Sequence, residues 1–405
     1  MTRTLLSPEA QLLLLTAAVP PSETGMRRLL TAGIDWAKLC ALAEHEKATS
    51  IALRQLWRLG LAVPHAAAHD LRQLAAASVM QMLHLEQLLH KTLDVLAEQG
   101  IDVMLLKGAG LGYTAYPSFV DRPMVDLDVL VPPHRAEQAW SLLQTHGWTW
   151  PSARWASQRY TAHQHLPPLI QDPGGASRLE IHGDLLPGGH PFRFSAATVW
   201  AQAKQVPLNG RVLTVPHPLH QLWHVCVHFA WSHEMQWGAW RTLRDVAAII
   251  WRGDVEWPEF VDLARKSQAG TCCFWTLRLS RRLAGADVPD RVLAALRPPR
   301  PELLLERIER HYVSNLFPSR DGCPSVLLAR RLWEAGILPR WSGHGPVRPW
   351  HVCERWMAGS EIAGSEQHES EQPRHRPLWA QLRKLGAGLA YLRRTQRFAL
   401  PVNAP

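Results

Sequence analysis

The stretch LLKGAGLGYTAYPSFVDRPMVDLDVLV, residues 105–131, is the best guide to the fold of this chain. Its last seven residues, VDLDVLV, are apolar except for Asp126 and Asp128, and they predict a buried strand. Because side chains alternate between the two faces of a strand, both carboxylates point to one face while Leu127 points into the core. Two carboxylates this close repel each other, and buried charge is unfavourable unless it is paired or bound to a metal. The pair therefore indicates a divalent-cation site, although aspartates at this spacing also occur on exposed strands.

A phosphate-binding turn is predicted just before this strand. Lys107 and Gly108 stand where the apolar run IDVMLLK ends and the small-residue helix GAGLGYTAY begins. Glycine allows a phosphate to approach the backbone, and a helix N-terminus favours anions. Lys107 supplies a point charge for a phosphate, and Arg122 adds a second cation beside the aspartates. Mg²⁺ is commonly held by one or two carboxylates together with substrate phosphates, so the turn and the aspartates predict one combined site.

A third carboxylate lies on a later predicted strand, RLEIHGDL. Glu180 and His182 share one face of that strand, and Asp184 continues the same alternation as an alternative third acid. The chain thus offers a strand, a Lys-Gly turn, a helix, a two-aspartate strand and a strand with a third acid. Metal-dependent phosphoryl transfer needs these parts: a phosphate cradle, a two-carboxylate metal site and a nearby acid for a second metal or for the attacking group.

These residues resemble a known signature. KGAGLGYTAYPSFVDRPMVDLDVLV is similar to the KG…(Y)P…R…D-(I/L)-D-(L/V)-(L/V) pattern of the uncharacterised nucleotidyltransferase family of the polymerase-beta superfold. The likeness extends over residues 5–255. It implies an α+β fold in which a mixed sheet with flanking helices forms a polymerase-beta-like nucleotidyltransferase core between N-terminal and C-terminal helical regions. The usual turn of that superfold is Gly-Ser, whereas this chain has Lys107-Gly108, which leaves the mode of phosphate binding open.

The resemblance also implies roles for individual residues. Asp126 and Asp128 would be metal ligands, and Glu180 would be the third catalytic acid and metal ligand. Family members tend to have a histidine on one later helix and an aspartate on the next, here His228 and Asp245, which we interpret as cleft-lining or helix-pairing residues. The residues expected to contact the nucleotide are Lys107, Gly108, Arg122, His182 and His228.

Further histidines allow more than one interpretation. His224 and His228 are four residues apart on a predicted helix, so they share a face and, with His233 and Glu234, suggest a zinc site. The sequence HVCVH lacks the glutamate of an HExxH metalloprotease, which favours core or cleft-facing histidines instead. His163 and His165 alternate onto one face of the predicted strand QRYTAHQHL, either as an exposed face or as part of an acceptor pocket.

The chain divides into four predicted regions. Residues 1–100 are helical: Ser7 is expected to cap a first helix with Pro8 at its first position, DWAKLCALAEHEKATSIALRQLW is helical throughout, and a helix capped by Asp70 ends at Gly100. Residues 101–216 form the α/β core, and residues 217–300 are helices that complete the cleft. Residues 301–405 are a helical extension with a flexible linker at 359–376 and a basic amphipathic last helix, which either docks on its own domain or binds a membrane surface or partner.

Composition limits the classes of function. The formal net charge of +9 and the pI of about 9.6 suggest an anionic partner. The sequence lacks zinc-finger, helix-turn-helix and RNP-like patterns. Only the net charge suggests nucleic-acid binding, so we do not expect nucleic acid as a partner. Six cysteines without CxxC spacing, a poor signal peptide and the lack of an 18-residue apolar run predict a reduced cytoplasmic protein without a transmembrane segment.

Three functions remain in view. The first is a metal-dependent transferase that moves a nucleoside monophosphate from a nucleoside triphosphate, ATP first, to an unidentified acceptor, with a small molecule or a peptide preferred. The second uses a nucleotide-sugar donor on the same pyrophosphate and metal site. The third is a nucleotide-binding or protein-interaction module without turnover. We expect Mg²⁺ or Mn²⁺ as the metal in either enzyme.

Overall fold

The computed structural model describes residues 4–152, 157–160, 162–171, 177–317, 323, 325–338 and 378–401. In these residues, helices surround one mixed sheet. The helices are α1 (Pro8–Leu15), α2 (Glu23–Thr31), α3 (Trp36–His45), α4 (Thr49–Arg58), α5 (His65–Glu98), α6 (Lys107–Thr114), α7 (Ala136–Gln144), α8 (Ala196–Ala201), α9 (Pro218–Val227), α10 (Ala239–Trp251), α11 (Trp257–Lys266), α12 (Gly270–Ala284), α13 (Asp290–Leu296), α14 (Glu302–Ser314), α15 (Val326–Ile337) and α16 (Leu378–Arg397). The strands are β1 (Met104–Leu105), β2 (Asp126–Leu130), β3 (Leu169–Ile170), β4 (Arg178–His182), β5 (Lys204–Leu208) and β6 (Arg211–Val215).

The six strands are arranged in the order β3-β4-β2-β1-β6-β5. β2 pairs in parallel with β4 and antiparallel with β1, and β1 pairs in parallel with β6. The register of β2 with β4 places Asp128 directly opposite Glu180. Leu127 and Val129 are fully buried on the other face of β2, in a core shared with the second half of α5 and with α7. The alternation in VDLDVLV therefore divides the strand into a core face and a carboxylate face.

The N-terminal helices follow local signals with two differences. Ser7 caps α1, its hydroxyl accepting from the N–H of Ala10, and Pro8 is the first helical residue, as predicted. The predicted continuous helix from residue 35 onward is two helices, α3 and α4, because the chain turns at Lys47, which has φ +59°. The turn places the buried Glu46 carboxylate 3.0 Å from the N–H of Trp240, so it caps the start of α10.

Helix α5 is longer than predicted. It starts at His65, directly after Pro64, so Asp70 lies within the helix and does not cap it. Proline is compatible with the residue preceding a helix, since its missing N–H is not required there. Gly100 has φ +59° just after the helix ends, as predicted for a C-terminal cap.

Two strand predictions differ from the structure. In the predicted strand QRYTAHQHL, residues 157–160 form a 3₁₀ turn, and His165 makes an isolated bridge to His182. Pro167 and Pro168 follow directly, and proline cannot donate to a sheet ladder. The hairpin of β5 and β6 is absent from the sequence-based prediction. It turns at Asn209-Gly210, both residues with positive φ, which is the usual chemistry of a two-residue hairpin loop.

A second core joins the N-terminal helices to α9, α10, α12 and α14. The last helix, α16, docks on this body: the Tyr391 hydroxyl lies 3.0 Å from Nδ1 of His311, and Arg310 donates to the carbonyl of Thr395 at 3.2 Å. The linker predicted at 359–376 lies outside the described residues. Within the part of the chain that the structure describes, no helix combines the length and the apolar character needed to cross a membrane.

Candidate active site

One cavity of about 310 Å³ lies between the carboxylate face of the sheet and the helices α6, α9 and α10. Asp126 and Asp128 reach it from β2, and Glu180 reaches it from β4. Lys107 and Gly108 line it from the start of α6, where β1 ends. The strands and the turn that the sequence singles out therefore meet at one place.

Asp128 is the centre of the charged cluster. Its Oδ1 lies 2.6 Å from Nζ of Lys107 and 2.9 Å from Nε2 of His182. Burial raises the pKa of Asp128, but Lys107 and the hydrogen bond from His182 lower it further, so the net pKa lies below its ordinary value. Burial likewise raises the pKa of Glu180, and His165 and His182 bring it well below the ordinary range. Both carboxylates are therefore ionised and compensated by cations or imidazoles.

Asp126 is the least compensated carboxylate of the cavity. Burial, followed by the charges of Asp128 and Glu180, raises its pKa to about 6. Its carboxylate forms no hydrogen bond or ion pair with another described residue. Asp126, Asp128 and Glu180 thus bring three carboxyl groups to one buried region, and the Lys107 ammonium lies within 4 Å of two of them, Asp128 and Glu180. This donor set fits a bound divalent cation, which would remove the remaining repulsion.

Lys107 holds the turn between β1 and α6 in an unusual conformation. Its φ is +44°, a left-handed value that is uncommon for a residue with a side chain. Burial lowers the pKa of Lys107, but the charges of Asp128 and Glu180 raise it above its ordinary value, so the ammonium stays protonated. Next to it, a Cβ on Gly108 would lie 2.9 Å from Nη1 of Arg122, so only glycine leaves room for that guanidinium.

Arg122 is fixed by an acid from a distant helix. Its Nε and Nη2 donate to the two carboxylate oxygens of Asp245 on α10, at 2.8 and 2.7 Å. The hydroxyl of Tyr116 donates to the same carboxylate at 2.6 Å. Arg122 and Asp245 both line the cavity, and their bidentate pair ties the segment before β2 to α10.

Histidines form the opposite wall. His224 on α9 and His228, at the start of the π-helical turn His228–Ser232, line the cavity. The rings of His224 and His228 have centroids 5.9 Å apart, and those of His228 and His233 are 4.3 Å apart. Burial, then the charge of Lys107, lowers the pKa of His224 to about 3, so its ring is neutral. Nε2 of His224 has no hydrogen-bond partner among the described residues.

One group of three possible ligands is compact enough to hold a metal ion. Among the residues that the structure describes, this group is Asp128, Glu180 and His182, whose ligand atoms all lie within 4.8 Å of one another. Asp126 lies outside the group, and so do His224 and His228, which suggested a zinc site. Asp184, the alternative third acid, faces elsewhere: its Oδ1 accepts from the N–H groups of Leu185 and Ala196.

The sequence leaves the place of one cavity residue, His165, open and gives no prediction for another, Arg241. His165 is buried and lines the cavity with Nε2 3.3 Å from Oε2 of Glu180, so its exposed-face interpretation is wrong. Burial, only partly opposed by Glu180, lowers the pKa of His165 to about 4. Arg241, in the first turn of α10, also lines the cavity, where burial lowers its pKa and the charge of Asp126 partly offsets this. Arg241 is four residues before Asp245, a spacing that places both on one helix face and would have indicated it.

Comparison with known proteins identifies the family. No curated protein and no solved structure matches the chain significantly. The sequence model of one family, described as uncharacterised nucleotidyltransferase, matches residues 32–285. This range contains the sheet, the Lys107 turn, the carboxylates and the histidine wall. The chain belongs to the uncharacterised nucleotidyltransferase family.

Proposed function

We propose that this protein is a metal-dependent nucleotidyltransferase that moves a nucleoside monophosphate from a nucleoside triphosphate to an acceptor. The observation that supports it best is the register of β2 and β4, which sets Asp128 opposite Glu180 at a cavity that Asp126 and Lys107 also line. Membership of the family supports nucleotidyl transfer in general. We assign the sheet, within residues 101–216, to a polymerase-beta-like core, and the helices of residues 1–100 and 217–300 to the walls of the cleft.

The carboxylates would hold the metal. Asp128 and Glu180 are ionised in the folded protein, and Asp126 adds a third carboxyl group on the same face of the sheet. A bound Mg²⁺ or Mn²⁺ would supply charge stabilisation for the phosphate oxygens at which nucleotidyl transfer occurs. We propose that these residues orient the nucleoside triphosphate and position its α-phosphate.

The cations of the cavity would neutralise the departing pyrophosphate. Lys107 is protonated and stands at the N-terminus of α6, where backbone N–H groups also favour an anion. Arg241 adds a guanidinium close to the charges of Asp126, Glu46 and Asp245. Arg122 is already held by Asp245. We therefore propose that it shapes the cavity wall and makes its potential positive, and that it does not move to bind a phosphate directly.

The histidine wall and the acceptor complete the proposal. His224 is uncharged, and His228 stands beside it, so this side of the cavity suits a polar, uncharged part of a substrate. We place the acceptor hydroxyl or amine, of a small molecule or a peptide, on this side. A nucleotide-sugar donor would use the same carboxylates and cations, and the products separate the two reactions.

The test is calorimetric titration of the full-length protein with each nucleoside triphosphate and with nucleotide-sugars, with and without Mg²⁺ or Mn²⁺. We expect metal-dependent binding of a nucleotide, weakened at least about tenfold by Asp128→Asn because the metal loses an anionic ligand. Asp184→Asn is the matched control, since that carboxylate lies outside the cavity, and it should bind as the wild type does. Release of pyrophosphate upon turnover indicates nucleotidyl transfer, whereas release of a nucleoside diphosphate indicates sugar transfer. Equal nucleotide binding with and without metal would contradict the proposal.

A further inference from the structure

We infer that Nε2 of His182 is a ligand of the metal site and makes that site prefer transition-metal dications to Mg²⁺. The inference rests on the metal site of the proposed function and specifies its chemistry. The sequence analysis gives only carboxylates as metal ligands. The compact group in the structure contains an imidazole instead of the carboxylate of Asp126.

The orientation of the His182 ring is the first argument. The side chain is fully buried at the end of β4, and its Nδ1 lies 3.2 Å from the backbone carbonyl of Asp184. A carbonyl only accepts, so Nδ1 bears a proton and the ring is held with Nε2 facing the carboxylates; in the metal-free protein Nε2 donates to Asp128, and that proton would leave when a cation binds. A backbone carbonyl on one ring nitrogen is the usual way in which a protein fixes the tautomer of a metal-ligating histidine.

The partners of Nε2 are the second argument. Nε2 lies 2.9 Å from Oδ1 of Asp128 and 3.7 Å from Oε2 of Glu180. Ionised carboxylates only accept, so in the metal-free protein the Lys107 ammonium and the proton on Nε2 take the places beside Asp128 that a cation could occupy. Adjacent donor atoms in an octahedral site with ligand distances of about 2.1 Å lie about 3 Å apart. The Nε2–Oδ1 separation matches this spacing, and Oε2 of Glu180 lies close enough to join the same group of ligand atoms.

Neighbouring imidazoles provide an independent observation. His165 has the same construction, with Nδ1 2.7 Å from the carbonyl of Leu166 and Nε2 directed at Glu180. His224 is 4% exposed, and its Nε2 lines the same cavity without a hydrogen-bond partner among the described residues. Imidazole nitrogens from three segments of the chain thus surround this site. A site specific for Mg²⁺ would need oxygen ligands only.

The chemistry of the donors determines the preference. Carboxylate oxygens suit Mg²⁺, whereas imidazole suits first-row transition metals, whose affinities for a mixed nitrogen and oxygen site rise along the series from Mn²⁺. Mn²⁺ is the member of that series whose ligand preferences lie closest to those of Mg²⁺, and it binds carboxylate and phosphate oxygens as well. Mn²⁺ is therefore the appropriate probe.

The experiment measures Mn²⁺ and Mg²⁺ binding to the metal-free, full-length protein by calorimetry, together with pulsed electron paramagnetic resonance of the Mn²⁺ complex. We expect Mn²⁺ to bind at least about tenfold more tightly than Mg²⁺ and to show coupling to a histidine ¹⁴N nucleus. Protein labelled with ¹⁵N-histidine should replace that coupling with a ¹⁵N coupling, which tests the ligand without any substitution. His182→Gln should abolish the coupling and bring the two affinities together, while His165→Gln, the matched control, should retain it.

Each outcome decides a separate point. Mn²⁺ that binds without any histidine coupling would overturn the role of His182 and leave the carboxylate metal site of the proposed function intact. A coupling lost in His165→Gln and retained in His182→Gln would move the ligand to His165 and overturn the inference. Failure of the wild type to bind either metal, with or without nucleotide, would overturn both the inference and the proposed function. Should His182→Gln fail to fold, as judged by circular dichroism, the ¹⁵N label and His165→Gln still decide the result.

Discussion

The pair formed by Arg122 and Asp245 connects residues on either side of the cavity, and its removal tests how the site is held. Both side chains are nearly buried, at 11% and 4% exposure, and two hydrogen bonds join them. Asp245→Leu keeps a similar volume but leaves the Arg122 guanidinium buried without its counter-ion. Breaking one partner of a buried pair costs about 3–5 kcal/mol of folding free energy. The hydroxyl of Tyr116 loses its acceptor as well, which adds about 1–3 kcal/mol.

The double variant Arg122→Met with Asp245→Leu separates charge from packing. It removes the unpaired guanidinium and leaves the Tyr116 hydroxyl and the Pro123 carbonyl without their partners, so we expect it to lose about 1–3 kcal/mol. The double variant should therefore be more stable than Asp245→Leu alone, by about 2 kcal/mol or more. The assay is urea denaturation followed by tryptophan fluorescence and circular dichroism.

An exposed pair supplies the control for this prediction. Lys266 and Asp262 are four residues apart on α11, with side chains 76% and 57% exposed. Asp262→Ala should change the free energy of unfolding by about 0.5 kcal/mol or less, since solvent screens such pairs. A double variant that is no more stable than Asp245→Leu would refute the reasoning, because the unpaired buried charge would then not be the source of the loss.

Three further outcomes follow from single side chains. Burial lowers the pKa of His311 from 6.5 to about 4, so the unfolded state binds a proton at this residue before the folded state does. The free energy of unfolding therefore falls as the pH drops from 6.5 towards 4, by about 2 kcal/mol at pH 5. His311→Gln should remove this part of the pH dependence of urea unfolding. Gly110→Ala should destabilise by about 1–3 kcal/mol, because the new Cβ would lie 2.5 Å from the carbonyl oxygen of Leu105, whereas Gly386→Ala, with open space around it, should be neutral or stabilising in thermal unfolding. Lys107→Ala should weaken nucleoside triphosphate binding about tenfold or more in calorimetry, and unchanged affinity would exclude its phosphate role.

Local patterns in the sequence predict the parts of this molecule that depend on neighbours along the chain. Alternation in VDLDVLV is enough to separate Leu127 from the two aspartates, since a strand has only two faces. The Asn209-Gly210 turn is an equally local signal that identifies the β5–β6 hairpin, and sequence-based prediction should have included it.

Long-range contacts account for what the sequence does not indicate. Arg122 meets Asp245 across 123 positions, and no periodicity relates them. Lys47 interrupts the expected continuous helix because Glu46 is needed at the start of α10, far along the chain. In the sequence, His165 lies in a polar segment typical of an exposed strand, whereas its bridge to His182 places it against Glu180. Such positions depend on tertiary packing, which overrides local preference.

The contact between Lys107 and Asp128 has a consequence for how the protein matures. In many small metalloproteins the ligands repel one another until the metal arrives, so metal binding and folding are a single event. Here an ammonium group of the chain itself already compensates the central carboxylate at 2.6 Å. The polypeptide can therefore reach its native state first and load its ion afterwards, by exchange against its own lysine. Chelators should accordingly leave the fold intact, and the cell can supply or withdraw the ion without unfolding the protein.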